Sequence, residues 1–163
     1  MIEMAALRRK IGPVNASLLF VIFSSFAFAS TALNTNSVAG YWQTISGKTK
    51  KPSSIIEIQQ RGQFFEGFVA KTYPMPGVST TSLCVACTGP QKNKPILGLT
   101  IIKNMQCLPD FCAHGTILDP RSGRVYHATM KLINHGQELR VRGYVGTPVF
   151  GKTVIWKRVS SIK

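Results

Sequence analysis

Acidic residues are scarce in this 163-residue chain: six aspartates and glutamates stand against twenty lysines and arginines. Paired carboxylates for general acid–base work are therefore hard to assemble, since outside the first 29 residues only Glu57, Glu66, Asp110, Asp119 and Glu138 remain. Histidine is equally sparse. His114, His127 and His135 show no two-histidine helical spacing, and no serine or cysteine is marked locally as a nucleophile. The sequence points to no catalytic residue, no metal and no cofactor, and the chain reads as a binding protein rather than an enzyme. Long apolar runs are also missing. The longest apolar stretch, residues 16–29, falls short of the ~20 residues a spanning helix needs. No segment beyond it carries a helical stripe with caps.

What is present begins with that stretch. Arg8, Arg9 and Lys10 precede Leu18–Phe23, and the run ends in small residues at Ala27 and Ala29. A positive cluster, a short apolar core and alternating small residues are the pattern of a secretory signal peptide, with cleavage expected after Ala29. No cysteine follows that point to accept a lipid. The chain divides into a signal peptide (1–29), a polar lead-in (30–37) and one domain (38–163), and the product is expected in the periplasm or secreted. Without its leader the chain keeps a large positive excess, which attracts anionic surfaces at long range. Export removes nucleic acid from the expected partners and leaves anionic lipid or cell-wall polymer; solubility alone is the plain alternative. Nothing in the sequence sets an oligomeric state.

Apolar residues recur with period two through the domain, the signature of strands. Gly40–Ile45 is the first, and Ser53–Gln60 the second, with Ile56 and Ile58 on one side and Glu57 and Gln59 on the other. Arg61-Gly62 turns into a third over 63–71. Residues 73–94, rich in Pro, Gly, Ser and Thr, form a long ordered loop. A fourth, strongly apolar strand is expected over 95–103, and after a short cysteine-containing loop a fifth over 115–118. Asp119-Pro120-Arg121-Ser122-Gly123 is the clearest turn, with proline pre-setting φ and glycine accepting positive φ at the exit. It leads into 124–133, where Tyr126, Ala128, Met130 and Leu132 share one face. Asn134-His135-Gly136 turns into 138–145, where Leu139 and Val141 oppose Arg140 and Arg142. An eighth strand, 152–159, closes the chain. Eight strands joined by mostly short turns are expected to hide their edges as an antiparallel up-and-down barrel, all-β in class; a two-sheet sandwich fits the same count.

Gly40-Tyr41-Trp42 on the first strand and Val154-Ile155-Trp156-Lys157-Arg158 on the last resemble the lipocalin and calycin pattern, in which the tryptophan plugs the barrel base and an arginine packs across it. The chain also resembles the exported bacterial family numbered 2147 among the domains of unknown function, described as lipocalin-like. That resemblance rests on Gly40-Tyr41-Trp42, Cys84-Val85-Ala86-Cys87 and Asn93–Leu99, then on Ile117–Tyr126, Val141–Gly146 and Trp156. These segments cover nearly all of the chain beyond its leader. The pair Cys107 and Cys112 departs from the family pattern. The resemblance implies a lipocalin-like barrel and no particular activity.

Four cysteines, Cys84-x-x-Cys87 and Cys107-x4-Cys112, admit disulfides, a four-thiolate zinc site or a redox pair. Thr88-Gly89-Pro90 is a poor helix start, which weighs against the redox role. The fourth strand spans roughly 30 Å at ~3.3 Å per residue, which would set the two pairs at opposite ends of the barrel. Local bridges Cys84–Cys87 and Cys107–Cys112 are thereby favoured. Trp42, Ile56, Ile58, Phe65, Tyr126, Met130, Leu139 and Val141 are candidate lining residues for a small hydrophobic or amphipathic ligand, or else simply fill the core. Arg121, Arg124, Arg140 and Arg142 are candidates for meeting an anionic surface. The alternative function is an envelope structural or interaction domain with a filled core and a basic surface.

Overall fold

The computed structural model describes residues 36–74 and 82–162; the expected leader and its lead-in as far as residue 35 lie outside the described residues. Eight strands follow one another: β1 (Gly40–Ile45), β2 (Pro52–Arg61), β3 (Phe64–Thr72), β4 (Thr100–Cys107), β5 (Phe111–Asp119), β6 (Arg124–Ile133), β7 (Glu138–Tyr144) and β8 (Gly151–Val159). Each pairs antiparallel with its successor, and β8 returns to β1 through Tyr41–Val159, Trp42–Arg158 and Gln43–Lys157. The result is a closed up-and-down barrel, not a sandwich. Closure satisfies the edge N–H and C=O groups that an open sheet would expose. Among the described residues no helix is long and apolar enough to cross a membrane.

The period-two pattern puts one face of each strand inside. On β6, Ala128, Met130 and Leu132 are buried while Lys131 is exposed; on β7, Leu139 and Val141 are buried and Arg140 exposed. On β2, Ile56 and Ile58 are buried on the inner side. β1 and β6 coincide with their expected limits.

β2, β3, β7 and β8 differ from expectation by a single residue at one or both ends, and two strands differ by more. β4 runs over Thr100–Cys107 rather than 95–103. Gly98 at φ +81° interrupts the extended chain, Pro95 pairs outside the barrel with Leu83, and Gly98 and Leu99 exchange backbone hydrogen bonds with Val69. The apolar stretch before Thr100 thus belongs to the β3–β4 loop. β5 begins at Phe111, four residues before Gly115, and Cys107 faces Cys112 across the β4–β5 ladder rather than in a loop. The alternation is broken there by His114, a non-glycine residue at φ +62°, at a register shift between Cys112 and Gly115. A bulge adds a residue and reverses the apparent phase of a strand.

Up-and-down order sorts the loops into two sets. The β1–β2, β3–β4, β5–β6 and β7–β8 connections lie at one end, the mouth; the β2–β3, β4–β5 and β6–β7 turns lie at the other, the floor.

Candidate functional site

The floor is built from the first and last strands. Trp42 is fully buried, and its indole Nε1 donates to the Val38 carbonyl at 2.8 Å. The Arg158 guanidinium lies 4.2 Å from the Trp42 ring. It donates to Gly136 O at 2.6 Å through Nε, to Ala39 O at 3.0 Å through Nη1 and to Ser37 O at 2.6 Å through Nη2. A planar fork stacked on an indole while serving three carbonyls is arginine chemistry that lysine cannot reproduce. Desolvation lowers the Arg158 pKa from its ordinary value. Gly40 sits at φ +127°, and a Cβ there would press on Arg158 Nη1, so the glycine of Gly40-Tyr41-Trp42 makes room for the stack.

Above this floor the interior changes character. Inward positions along β1 pass from Trp42 to Thr44, along β2 from Ile58 through Ile56 to Ser54, and along β7 from Leu139 through Val141 to Gly143. Large side chains fill the lower half, and short ones leave space in the upper half. That space is a cavity of about 330 Å³, at the small end of ligand pockets. Its apolar wall comes from Ile56, Val69, Ile101, Leu118, Tyr126 and Trp156. Its rim is hydroxylic: Thr44 Oγ1 lies 2.7 Å from both Ser53 Oγ and Ser54 Oγ, and Ser46, Thr72 and Tyr73 stand alongside. Asp119 and Arg121, an ion pair at 3.4 Å, complete the rim.

The mouth is partly roofed by the β3–β4 loop. Its segment 82–96 folds back on itself through Cys84 N–Lys94 O, Asn93 N–Cys84 O and Ile96 N–Ser82 O hydrogen bonds, and Ile96 reaches the cavity. Cys84 and Cys87 are bridged and buried, with Cα atoms 5.3 Å apart. Cys84 Sγ rests 3.3 Å from the Pro120 carbonyl oxygen; a bridged sulfur has no proton, so this is a contact and not a donated hydrogen bond. Gly123, at φ +68°, lies so close that a Cβ would overlap the Ala86 carbonyl. The Cys84–Cys87 loop is thus clamped onto the Asp119–Gly123 turn, which joins two sequence motifs 35 residues or so apart.

The second bridge, Cys107–Cys112, has Cα atoms 4.0 Å apart and staples the β4–β5 hairpin at the floor end. The pairs stand at opposite ends of β4, and as half-cystines they offer no thiolate to a metal.

The eight expected lining residues divide. Ile56 and Tyr126 line the cavity. Trp42, Ile58, Met130, Leu139 and Val141 are buried in the packed lower half, and Phe65 packs partly buried against it. Apolarity marks an inward side chain but not its height in the barrel, which is why a strand-face argument alone merges wall with floor. Val69, Ile101, Leu118 and Trp156 were missed, together with the hydroxylic rim. The signal for them is the decline in inward side-chain size toward one end of each strand, together with pairing that tells which ends coincide.

The four arginines also separate. Arg121 and Arg124 are exposed beside the mouth and Arg140 is exposed on the barrel wall. Arg142 is engaged internally: Nε donates to Pro148 O at 2.7 Å, Nη1 to Thr153 Oγ1 at 2.8 Å and Nη2 to Val149 O at 3.1 Å. The histidines stay clear of the cavity. His114 and His127 are exposed on β5 and β6, with His127 5.7 Å from the Tyr144 ring, and His135 is in the β6–β7 turn.

A closed eight-stranded barrel with a stacked Trp–Arg floor and a cavity under its loops has lipocalin-like architecture. The chain belongs to the family of uncharacterized proteins conserved in bacteria, DUF2147, which matches residues 40–158. A solved protein from Helicobacter pylori, described as belonging to the lipocalin family, is similar over 77% of this chain and 84% of its own, with a TM-score of 0.65 and 18% identity. At that identity the likeness is one of fold. No curated protein matches the sequence.

Proposed function

We propose that this protein binds a small hydrophobic or amphipathic molecule in the mouth cavity, as an exported bacterial protein and without catalysis. The observation that carries the reading is the cavity of about 330 Å³, apolar on its wall and hydroxylic at its rim, above a layer of buried side chains that includes Trp42, Ile58, Met130 and Leu139. An apolar wall shields a hydrocarbon body from water, and convergent hydroxyls accept or donate to a polar end. Two disulfides suit an oxidising compartment and so support export. An enzyme reading finds little support, because the cavity residues include no histidine or cysteine and their one carboxylate is paired with Arg121.

Native mass spectrometry of the protein recovered from bacterial envelope tests this, together with uptake of an environment-sensitive apolar fluorophore. Val69→Trp fills the cavity from its wall and the milder Ser54→Leu from its rim. Both are expected to abolish uptake while the far-UV spectrum stays that of a barrel. A protein that carries no extra mass and takes up no fluorophore would overturn the proposal.

A further inference from the structure

Charge is distributed unevenly between the ends of the barrel. In the mouth loops, β1–β2 carries Lys48, Lys50 and Lys51, β3–β4 carries Lys92 and Lys94, and β5–β6 carries Arg121, with no acid in any of them. The floor turns carry Asp110 and no lysine or arginine. Asp119, the acid nearest the mouth, is held by Arg121. Solubility alone would not require such a division.

Large apolar side chains are exposed at the same end. In the β7–β8 loop Val149 and Phe150 are 77% and 80% exposed, and Val85 on the roof loop is 69% exposed. Val149 and Phe150 are not loosely held, because Arg142 fixes the Pro148 and Val149 carbonyls and Thr153 beyond them. The chain thus keeps an aromatic and a branched aliphatic side chain in water on a braced loop, at the same end of the barrel as the loop lysines. Leu108 is exposed at the floor as well, but beside Asp110 and without a cation in its turn.

We infer that the mouth end of the barrel docks on the surface of an anionic lipid bilayer, with Phe150 and Val149 entering the interfacial layer and the loop lysines against the headgroups. Lysines near an anionic surface each strengthen attachment several-fold, and short apolar prongs add the burial that a charge-only contact lacks. This combination separates a bilayer from a soluble polyanion. A polymer would be gripped by the lysines and would leave Phe150 in water. The inference does not rest on the cavity being occupied, although docking there would bring the cavity opening to the lipid.

The test is vesicle co-sedimentation of the chain as recovered from an expressing bacterium, with every variant confirmed to share one N-terminus. Vesicles of phosphatidylcholine alone are compared with equal parts phosphatidylglycerol and phosphatidylcholine. The expected result is preference for the anionic vesicles that weakens as salt rises. Combined Lys48→Gln, Lys50→Gln and Lys51→Gln is expected to cost on the order of a hundredfold in apparent affinity for them. Phe150→Ser, at an exposed position that folding does not need, is expected to cost about tenfold, while Leu108→Ser in a floor turn and Lys131→Gln on the outer wall of β6 toward the floor, the two floor variants, change nothing. Equal affinity for the two compositions would overturn the inference. So would floor variants as costly as the mouth variants, or lysine-dependent binding to a soluble polyanion combined with vesicle binding that Phe150→Ser leaves intact.

Discussion

Replacing Arg158 by lysine keeps the charge and removes the fork, which makes it a sharp test of how the barrel floor is held. In the wild type one guanidinium serves the carbonyls of Ser37, Ala39 and Gly136 and covers the Trp42 indole at 4.2 Å. A lysine ammonium on its flexible stem can reach one of those carbonyls and cannot stack flat. Charged hydrogen bonds contribute about 1.5–3 kcal/mol each when fully buried. Arg158 is only half-buried, so water can rehydrate the released carbonyls and about 1 kcal/mol per lost bond is the better measure. With the stack included, Arg158→Lys is expected to cost about 3 kcal/mol and Arg158→Ala somewhat more. For a domain of this size that lowers Tm by roughly 10 °C. Urea titration followed by tryptophan emission reads the loss directly, because Trp42 lies under the substituted side chain. A lysine variant within about 0.5 kcal/mol of wild type would refute the idea that the planar fork, rather than positive charge, closes this end.

Gly123→Ala places a left-handed alanine against the Ala86 carbonyl; about 1–2 kcal/mol from the backbone alone is expected, with hydrogen exchange accelerated at 84–94 ahead of the barrel strands. Cys84→Ser with Cys87→Ser is expected to loosen the same roof and raise fluorophore off-rates while β1–β8 persist, whereas Cys107→Ala with Cys112→Ala is expected to lower global stability by about 2 kcal/mol without touching the cavity. The Tyr41 hydroxyl donates to Glu57 Oε1 at 3.2 Å, and the Glu57 carboxylate, with burial, raises the phenol pKa. The neutral phenol is thus favoured on folding: its contribution is whole below about pH 10 and is lost as pH climbs through the raised value. Tyr41→Phe is accordingly expected to flatten the alkaline limb of a stability–pH curve, and an unchanged limb would show the pair to be too solvated to matter.

Much of the wall could be read from one residue's neighbours. β6 and β7 show it plainly, since an inward residue must be apolar and its neighbour faces water, so Met130–Leu132 and Leu139–Val141 announce themselves. The reading failed where backbone geometry broke that rule. His114 at φ +62° reverses the phase of β5, and Gly98 at φ +81° ends the apolar run that looked like the start of β4. Neither residue type announces a left-handed conformation, because glycine and histidine occur in strands as well. The cavity was hidden for a different reason. Ile58 and Ile56 are adjacent inward isoleucines on one strand, yet one is packed and the other faces the void. The difference lies in what the opposite wall presents at each height.

Local chemistry in the chain was enough to specify an all-β domain of eight strands and to favour pairing each cysteine with its nearer partner, while barrel closure was settled by the β8–β1 ladder. The strands and the cysteine pairing depend on alternation, turn residues and short loops, all local in sequence. Folding in three dimensions settled which inward side chains meet at the same level, and so where the interior is full and where it is empty. It also brought Ala86 against Gly123 and gathered the lysines of separate loops at one end. Such juxtapositions arise from strand register and barrel closure, which relate residues far apart in the chain.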